Sequence, residues 1–185
     1  MSDDIQKLRE AIDDLQTRLH EEVRQRAELE RRCHLLEKLA YRDPATGLRT
    51  ESYLHSRVRE EIQRCTRYPG TATLITVCAP ETSDEALPSL GMRLTDELRE
   101  SDHVFGLRER GLAVLLVETP REGAQVVLDR LKTDLEHFVG GYGCTVTSFP
   151  VDANLADEFI SLAMQRHREL AERLNPRRPE AGRTN

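Results

Sequence analysis

Along the first forty positions of the chain, apolar residues recur alternately every third and every fourth position. With Ile5 at heptad position a, the apolar residues at positions a and d are Ile5, Leu8, Ile12, Leu15, Leu19, Leu29, Cys33, Leu36 and Ala40. The rest of residues 3–40 is rich in Glu, Arg, Gln and Asp and contains no glycine or proline. A seam that repeats about every 3.5 residues on a charged helix is typical of a coiled coil. We therefore expect a coiled-coil dimerisation helix over residues 1–40, with a homodimer formed through residues 3–40.

Two charged residues interrupt this seam. Glu22 falls at a d position and Arg26 at an a position, so they either fix the register or mark a looser stretch. The alternative to a coiled coil is a single amphipathic helix that packs on its own domain. A narrow apolar stripe on a charged helix favours the coiled coil, because it has little else to pack against.

The pattern changes at Asp43-Pro44, and helical and strand-like segments then follow one another. The predicted helices cover residues 51–67, 84–100, 120–138 (with Pro120 at the first helical position) and 155–174. The predicted strands cover residues 71–79, 103–108, 111–118 and 142–149. This order predicts an α/β (α+β) fold, a ferredoxin-like sandwich in which helices cover one face of an antiparallel sheet. The apolar run GLAVLLV should be a central strand, and the Pro- and Arg-rich residues 175–185 should form a disordered tail.

Composition excludes several classes of function. The net charge is −6 and aromatic residues make up 4%, which argues against nucleic-acid binding. No apolar run is long enough to span a membrane. The cysteines (Cys33, Cys65, Cys78 and Cys144) form no CxxC pair, so we expect reduced thiols rather than a zinc site. The six histidines are scattered and are expected on the surface. These features together predict a soluble, cytoplasmic protein.

Several stretches carry a family resemblance. The stretch LAYRDPATGL ends in a turn with Asp43, Thr46, Gly47 and Leu48, DEALPSLGMRL begins at Asp84, and SFPVD occupies residues 148–152. In order and spacing these stretches, over residues 40–174, resemble the GGDEF (diguanylate cyclase) domains. The resemblance implies a nucleotidyl cyclase-type fold for residues 41–174. It also implies a parallel pairing of the leading helices, which Cys33-to-Cys33 crosslinking would test.

The resemblance places the five-residue signature of the family on Arg108, Glu109, Arg110, Gly111 and Leu112. In active members the two glycines let the backbone approach the nucleotide phosphates, and the acidic residues bind Mg²⁺. Arginine and glutamate replace the glycines here, and arginine and glycine replace the acids. The signature is therefore degenerate.

A second metal ligand, an aspartate, is expected at the end of the first strand of such a domain. Thr76, Val77 and Cys78 occupy that position here, and Mg²⁺ prefers carboxylates and water. Only residues 79–83 remain of the segment that carries guanine-recognition residues. These departures from the family's pattern predict no cyclase activity, no bound metal and no cofactor. Residual activity on GTP is the least favoured hypothesis.

One feature of the family is retained. Many GGDEF domains carry an R-x-x-D site before the signature that binds cyclic di-GMP, and this chain has Arg99 and Asp102 at the matching spacing. A guanidinium donates well to O6 and N7 of guanine, and a carboxylate accepts from the N1 and N2 hydrogens. Arg108 and Arg110 are further candidates for this site because they are near in sequence. The alternative is an exposed Arg99–Asp102 ion pair of about 0–1 kcal/mol.

Two functions remain open at this stage. The chain is either a non-catalytic receptor for cyclic di-GMP or a coiled-coil adaptor that binds another, unidentified protein. Both interpretations use the same coiled coil, and they differ in whether Arg99 and Asp102 bind a nucleotide.

Overall fold

The computed structural model describes residues 2–43, 46–83, 85–108 and 110–175. The chain divides into two compact units, residues 1–40 and residues 41–185. Because residues 176–185 lie outside the described residues, the prediction of a disordered tail stays untested. Among the described residues, no helix is both long and apolar enough to cross a membrane.

The first unit is a single helix, α1 (Ser2–Ala40), about 58 Å long. Ion pairs one turn apart, such as Arg18–Asp14 and Arg32–Glu28, stabilise it. Its apolar residues are between 50% and 64% exposed at the following positions: Ile12, Leu15, Leu19, Val23, Leu29 and Leu36. The predicted helix is confirmed, and its pairing with a second copy stays a prediction. The side chain of Cys33 lies outside the described part of the structure.

The second unit alternates helices and strands. Its helices are α2 (Glu51–Arg67), α3 (Ala86–Glu97), α4 (Arg121–Phe138) and α5 (Ala156–Leu174). Its strands are β1 (Ala72–Cys78), β2 (His103–Leu107), β3 (Gly111–Val117) and β4 (Gly143–Phe149). Each element overlaps the segment that the hydrophobic pattern predicts for it.

The strands form one antiparallel sheet in the order β2-β3-β1-β4. The crossover β1-α3-β2 passes over β3, and the crossover β3-α4-β4 passes over β1. This is the strand order of a ferredoxin-like sheet, so the predicted fold class is confirmed. The run GLAVLLV is an inner strand, as expected, and nearly all of it is buried.

Helices cover both faces of the sheet, so the prediction of a single covered face is wrong. Leu74 and Leu115 pack on one side with residues of α2 and α5. Ile75 and Val114 pack on the other side with residues of α3 and α4. Because successive residues of a strand point to opposite faces, β1 and β3, which bury apolar residues on both faces, require a cover on each side.

Two predicted helix boundaries also differ from the structure. α3 ends at Glu97 rather than near residue 100, because Leu98 is extended and the chain then turns into β2. Pro120 is the N-cap of α4 rather than its first helical residue, and its ψ of 170° is extended.

Residues 41–43 and 46–50 form a contact region, here called the hook, that holds the start of the second unit against the edge of the sheet. The Gly47 N–H donates to the Asp43 carbonyl over 2.7 Å, and Gly47 has a φ of +68°, which favours glycine. Leu48 is buried against Gly91 of α3, where a β-carbon would lie 2.5 Å from its Cδ2 atom. The Gly106 N–H of β2 donates to the Arg49 carbonyl over 2.8 Å, which closes the hook.

A buried carboxylate in α2 depends on one arginine. Glu61 is 4% exposed, and Arg64 donates to both of its carboxylate oxygens over 2.6–3.2 Å. Arg64 also pairs with Glu118 after β3 over 3.0 Å. Removing one partner of such a pair leaves a buried charge without its counter-ion.

We therefore expect Arg64→Met to lower the free energy of unfolding by about 2–3 kcal/mol. Arg59→Met is the matched control on the same helix. Its pair with Asp157 is exposed, so its loss should cost less than about 1 kcal/mol. Urea unfolding measures both changes, and equal losses in the two variants would contradict this role of Arg64.

Candidate functional site

The Arg99–Asp102 segment is a turn between α3 and β2. The Asp102 N–H donates to the Arg99 carbonyl over 2.9 Å. The Asp102 carboxylate accepts from the Arg99 N–H over 3.3 Å and from the Val117 N–H, at the end of β3, over 3.1 Å. Asp102 thus fastens the turn to the neighbouring strand, a structural role that the spacing of the motif does not reveal.

The Arg99 side chain extends from this turn into solvent. Within the described residues its guanidinium forms no hydrogen bond or ion pair, and only its backbone N–H contacts the Asp102 carboxylate. The exposed Arg99–Asp102 ion pair, the alternative from the sequence, is therefore not formed in this structure. The donors of Arg99 remain available to a ligand.

Arg108 and Arg110 lie at the opposite end of β2 from this turn. The strand carries the chain about 20 Å between Asp102 and Arg108. The Arg110 guanidinium donates to the Thr82 carbonyl, and the Arg110 carbonyl accepts from the Ala79 N–H over 3.1 Å. The structure therefore does not bring Arg108 and Arg110 together with Arg99 and Asp102. The two pairs are close in sequence, but the extended strand β2 separates them in space.

Arg49, from the hook, approaches the turn instead. Its guanidinium donates to Nδ1 of His103 over 2.5 Å, so the ring is neutral with its proton on Nε2. Burial lowers the pKa of His103 to about 4, and the charges of Arg49 and Arg57 act in the same direction. His103 is half-buried rather than on the surface, contrary to the expectation. Arg49 lies 54 positions before it in the sequence, so no local pattern indicates this contact.

Two further arginines, Arg42 and Arg57, and two tyrosines lie near this contact. Arg42 and Arg49 face each other across a β-bridge. The Arg49 guanidinium lies 5.6 Å from the ring centre of Tyr53, which stacks on Tyr41 at 4.0 Å. Burial lowers the pKa of Arg49, and the charges of Arg42 and Arg57 lower it further. We name Arg42, Arg49 and Arg57 the arginine cluster.

The other end of the sheet is closely packed. Gly111 and Gly143 flank Cys78 in adjacent strands. A β-carbon on Gly111 would lie 2.6 Å from Cε1 of His167 and 2.9 Å from the Val77 carbonyl oxygen. His167 of α5 is 4% exposed, so the expectation of a surface histidine is wrong here too. Its ring occupies the space that a side chain at position 111 would need.

No family model matches the sequence, and a search of the curated proteins finds no relative. Several solved GGDEF domains are nevertheless similar in structure. The GGDEF domain of TpbB (YfiN) from Pseudomonas aeruginosa has a TM-score of 0.60 at 18% identity, covering 72% of this chain and 89% of that one. The chain has the fold of a GGDEF domain.

Two further structures extend this comparison. The coiled coil and GGDEF domain of DgcB from Caulobacter crescentus, in complex with c-di-GMP, has a TM-score of 0.57 at 10% identity, covering 89% of this chain and 96% of that one. The diguanylate cyclase SiaD from Pseudomonas aeruginosa, in complex with its activator SiaC, has a TM-score of 0.50 at 21% identity, covering 89% and 78%. At these identities the similarity establishes the fold.

Within this GGDEF fold, the β2–β3 hairpin carries the residues that the resemblance aligns with the signature. Arg108 and Arg110 stand at its tip, and Gly111 opens β3. Glu109 and Asp84 lie outside the described residues. Across the described ranges, no group of three or more His, Cys, Asp or Glu side chains is placed to hold a metal ion.

We expect Gly111→Ala to lower the free energy of unfolding by about 1–3 kcal/mol, because the new methyl group meets a backbone oxygen and a buried ring. Gly140→Ala is the control, since nothing lies within 4 Å of a β-carbon there. Its effect should stay below about 1 kcal/mol. Thermal unfolding of both variants tests this. An unchanged stability of Gly111→Ala would contradict the expected clash and show that the His167 ring moves aside at little cost.

Proposed function

We propose that this chain is a cytoplasmic, non-catalytic signalling protein that binds cyclic di-GMP through Arg99 and Asp102 and forms a homodimer through α1. The observation that carries the proposal is the Arg99 guanidinium, which is exposed and, within the described residues, has no partner. It stands on a turn whose shape is fixed by the hydrogen bonds of Asp102.

The chemistry of the turn suits a guanine base. Arginine presents parallel N–H groups that match O6 and N7 of guanine. An ionised carboxylate offers about four lone-pair positions, and the Arg99 and Val117 N–H groups use two of them. Asp102 can therefore still accept from the N1 and N2 hydrogens of a base while it holds the turn.

The end of the sheet that carries the β2–β3 hairpin and Cys78 supports the non-catalytic part of the proposal. Arg110 is tied to Thr82, and the ring of His167 fills the space beside Gly111. β1 ends in Cys78, a buried thiol that is a poor ligand for Mg²⁺. We accordingly expect no turnover of GTP with Mg²⁺. Turnover that disappears on mutating Glu109 would overturn this part.

The comparisons support a role in signalling. The DgcB structure contains a coiled coil and a GGDEF domain in complex with c-di-GMP, and the SiaD structure contains an activator protein. Both cover 89% of this chain. These are properties of those proteins, and they motivate the search for the same ligand class and for a protein partner here.

Isothermal titration with cyclic di-GMP tests the ligand. We expect a Kd of micromolar or tighter, about −8 kcal/mol or better, and at least about a tenfold loss in Arg99→Ala. Arg173→Ala on α5 removes an exposed arginine elsewhere and should bind like the intact protein. Equal affinities of the two variants for cyclic di-GMP would show that binding does not depend on Arg99.

Sedimentation equilibrium tests the dimer. We expect the intact protein to be dimeric at micromolar concentration and the double variant Leu15→Ser/Leu29→Ser to be monomeric, because both leucines lie on the exposed apolar stripe. Arg24→Ser/Arg31→Ser changes heptad positions far from the seam and should stay dimeric. A monomeric intact protein would refute the coiled coil.

The second candidate is an adaptor that recognises another protein without a nucleotide. The observation that favours it is the Asp102 carboxylate, because both of its oxygens already accept backbone N–H groups. No heat and no thermal shift with cyclic di-GMP would select this function. Affinity capture of one reproducible protein partner would then support it.

A further inference from the structure

The two outer edges of the sheet differ in what covers them. At one end, the outer edge of β2 is bonded to the hook, where the Gly106 N–H donates to the Arg49 carbonyl. At the other end lies β4, and no described strand pairs with its outer edge. An open strand edge presents backbone N–H and C=O groups that pair readily with another strand. The outer edge of β4 is therefore the place where a further strand can join this sheet.

The second half of the β4 edge is closed by contacts from the segments that follow it. The Ser148 N–H donates to the Asp152 carboxylate over 2.7 Å, and the Ser148 carbonyl accepts from the Asp152 N–H over 2.8 Å. The Val146 carbonyl accepts from the Arg166 guanidinium over 2.9 Å. These contacts fix which residues of β4 direct their backbone groups away from β1. Val146 and Ser148 do so, and Ser148 is buried.

The first half of the edge is open. The backbone groups of successive residues alternate between the two sides of an antiparallel strand, so Cys144 faces away from β1 as Val146 does. Within the described residues, the Cys144 N–H, the Cys144 carbonyl and the Val146 N–H have no hydrogen-bond partner. Residues 143–146 are half-buried, whereas the closed end of the strand is buried. Backbone groups that seek partners are thus available on this half of the edge.

The composition of this segment favours pairing with a strand of the same sequence. Residues 138–151 contain no charged residue, in a chain of which 32% is charged. Natural sheets usually protect an open edge with a charge, a proline or a bulge, and residues 143–146 carry none of these. Thr145 and Val146 are β-branched and favour the extended conformation. A second copy of the strand brings no like charge to oppose the first.

We propose that β4 is a self-association edge, at which two copies of this chain pair their β4 strands antiparallel about a two-fold axis at Cys144. In this register the Cys144 N–H of each copy donates to the Cys144 carbonyl of the other copy. The Val146 N–H of each copy donates to the Tyr142 carbonyl of the other copy. The pairing uses the open groups and leaves the Val146 carbonyl with Arg166. It is self-complementary, as a two-fold interface requires.

The residues that flank the open groups suit this register. Thr147 and Ser148 of one copy lie opposite Gly141 and Gly140 of the other copy. Both glycines are exposed, and nothing lies within 4 Å of a β-carbon at either position. The second strand therefore ends in residues without side chains at the point where Asp152 closes the edge of the first copy.

This interface is distinct from the apolar stripe of α1, and it requires neither that stripe nor a nucleotide. A chain with one pairing surface forms dimers, whereas a chain with two can form larger assemblies. Where the dimer proposed through α1 forms, pairing at β4 joins such dimers.

Amide hydrogen exchange followed by NMR tests the pairing in the full chain. The Leu15→Ser/Leu29→Ser variant is used, so that any association through α1 is removed. Between about 20 μM and about 1 mM protein, we expect the Cys144 and Val146 amides to exchange about threefold more slowly, because a contact of this size is weak. The Thr145 N–H points to β1 and is the internal control, with the same protection at both concentrations.

A further substitution at Val146 tests the register in the same background. Val146→Pro removes the outward N–H and spares the bonds to β1, and proline is tolerated at such edge positions. We expect it to abolish the concentration dependence at Cys144 while the Thr145 amide stays protected. Val146→Ala is the matched control, because it shortens the side chain, keeps the N–H and should retain the effect.

The outcomes distinguish this edge from the α1 dimer. Exchange at Cys144 and Val146 that is independent of protein concentration overturns the proposal, even if Val146→Pro does not fold. Concentration-dependent protection of Cys144 that persists in a folded Val146→Pro variant assigns the association to another surface and also overturns it. A monomeric intact protein at micromolar concentration refutes only the α1 dimer.

Discussion

β1 and β3 lie side by side at the centre of the sheet, and their residues are buried on both faces. Strands of this kind cannot leave either side to water, so the chain must supply a helical layer for each. α2 and α5 form one layer, and α3 and α4 form the other. The two layers position the other features of the domain. The hook packs on α3 through Leu48, the Arg99 turn connects α3 to β2, and His167 of α5 packs beside Gly111 at the start of β3.

The same constraint explains what the sequence could and could not predict. The elements were predictable because their apolar periods are clear and their ends carry glycine or proline. The second helical layer was missed, although the apolar residues of β1 on both faces already required it. The location of Arg99 shortly before the β2–β3 hairpin could be predicted from the spacing of the sequence. The contact between Arg49 and His103 could not be predicted, because the two residues are 54 positions apart and meet only through the hook.

The residues that the resemblance aligns with the family's signature make contacts within the domain. Arg110 connects the hairpin to the loop after β1, and Gly111 leaves room for the ring of His167. Arg99, whose exposed guanidinium has no partner among the described residues, lies at the other end of β2.

The contact between Leu48 and Gly91 has a consequence for sequence divergence. The side chain of Leu48 fills the volume that a β-carbon on α3 would occupy, so the two positions share one fixed space. A methyl group gained at position 91 must be matched by volume lost at position 48. Covariation between these two positions would therefore identify homologues in which the hook packs on α3 in the same way. It would do so even where the overall sequence identity is too low to show the relationship.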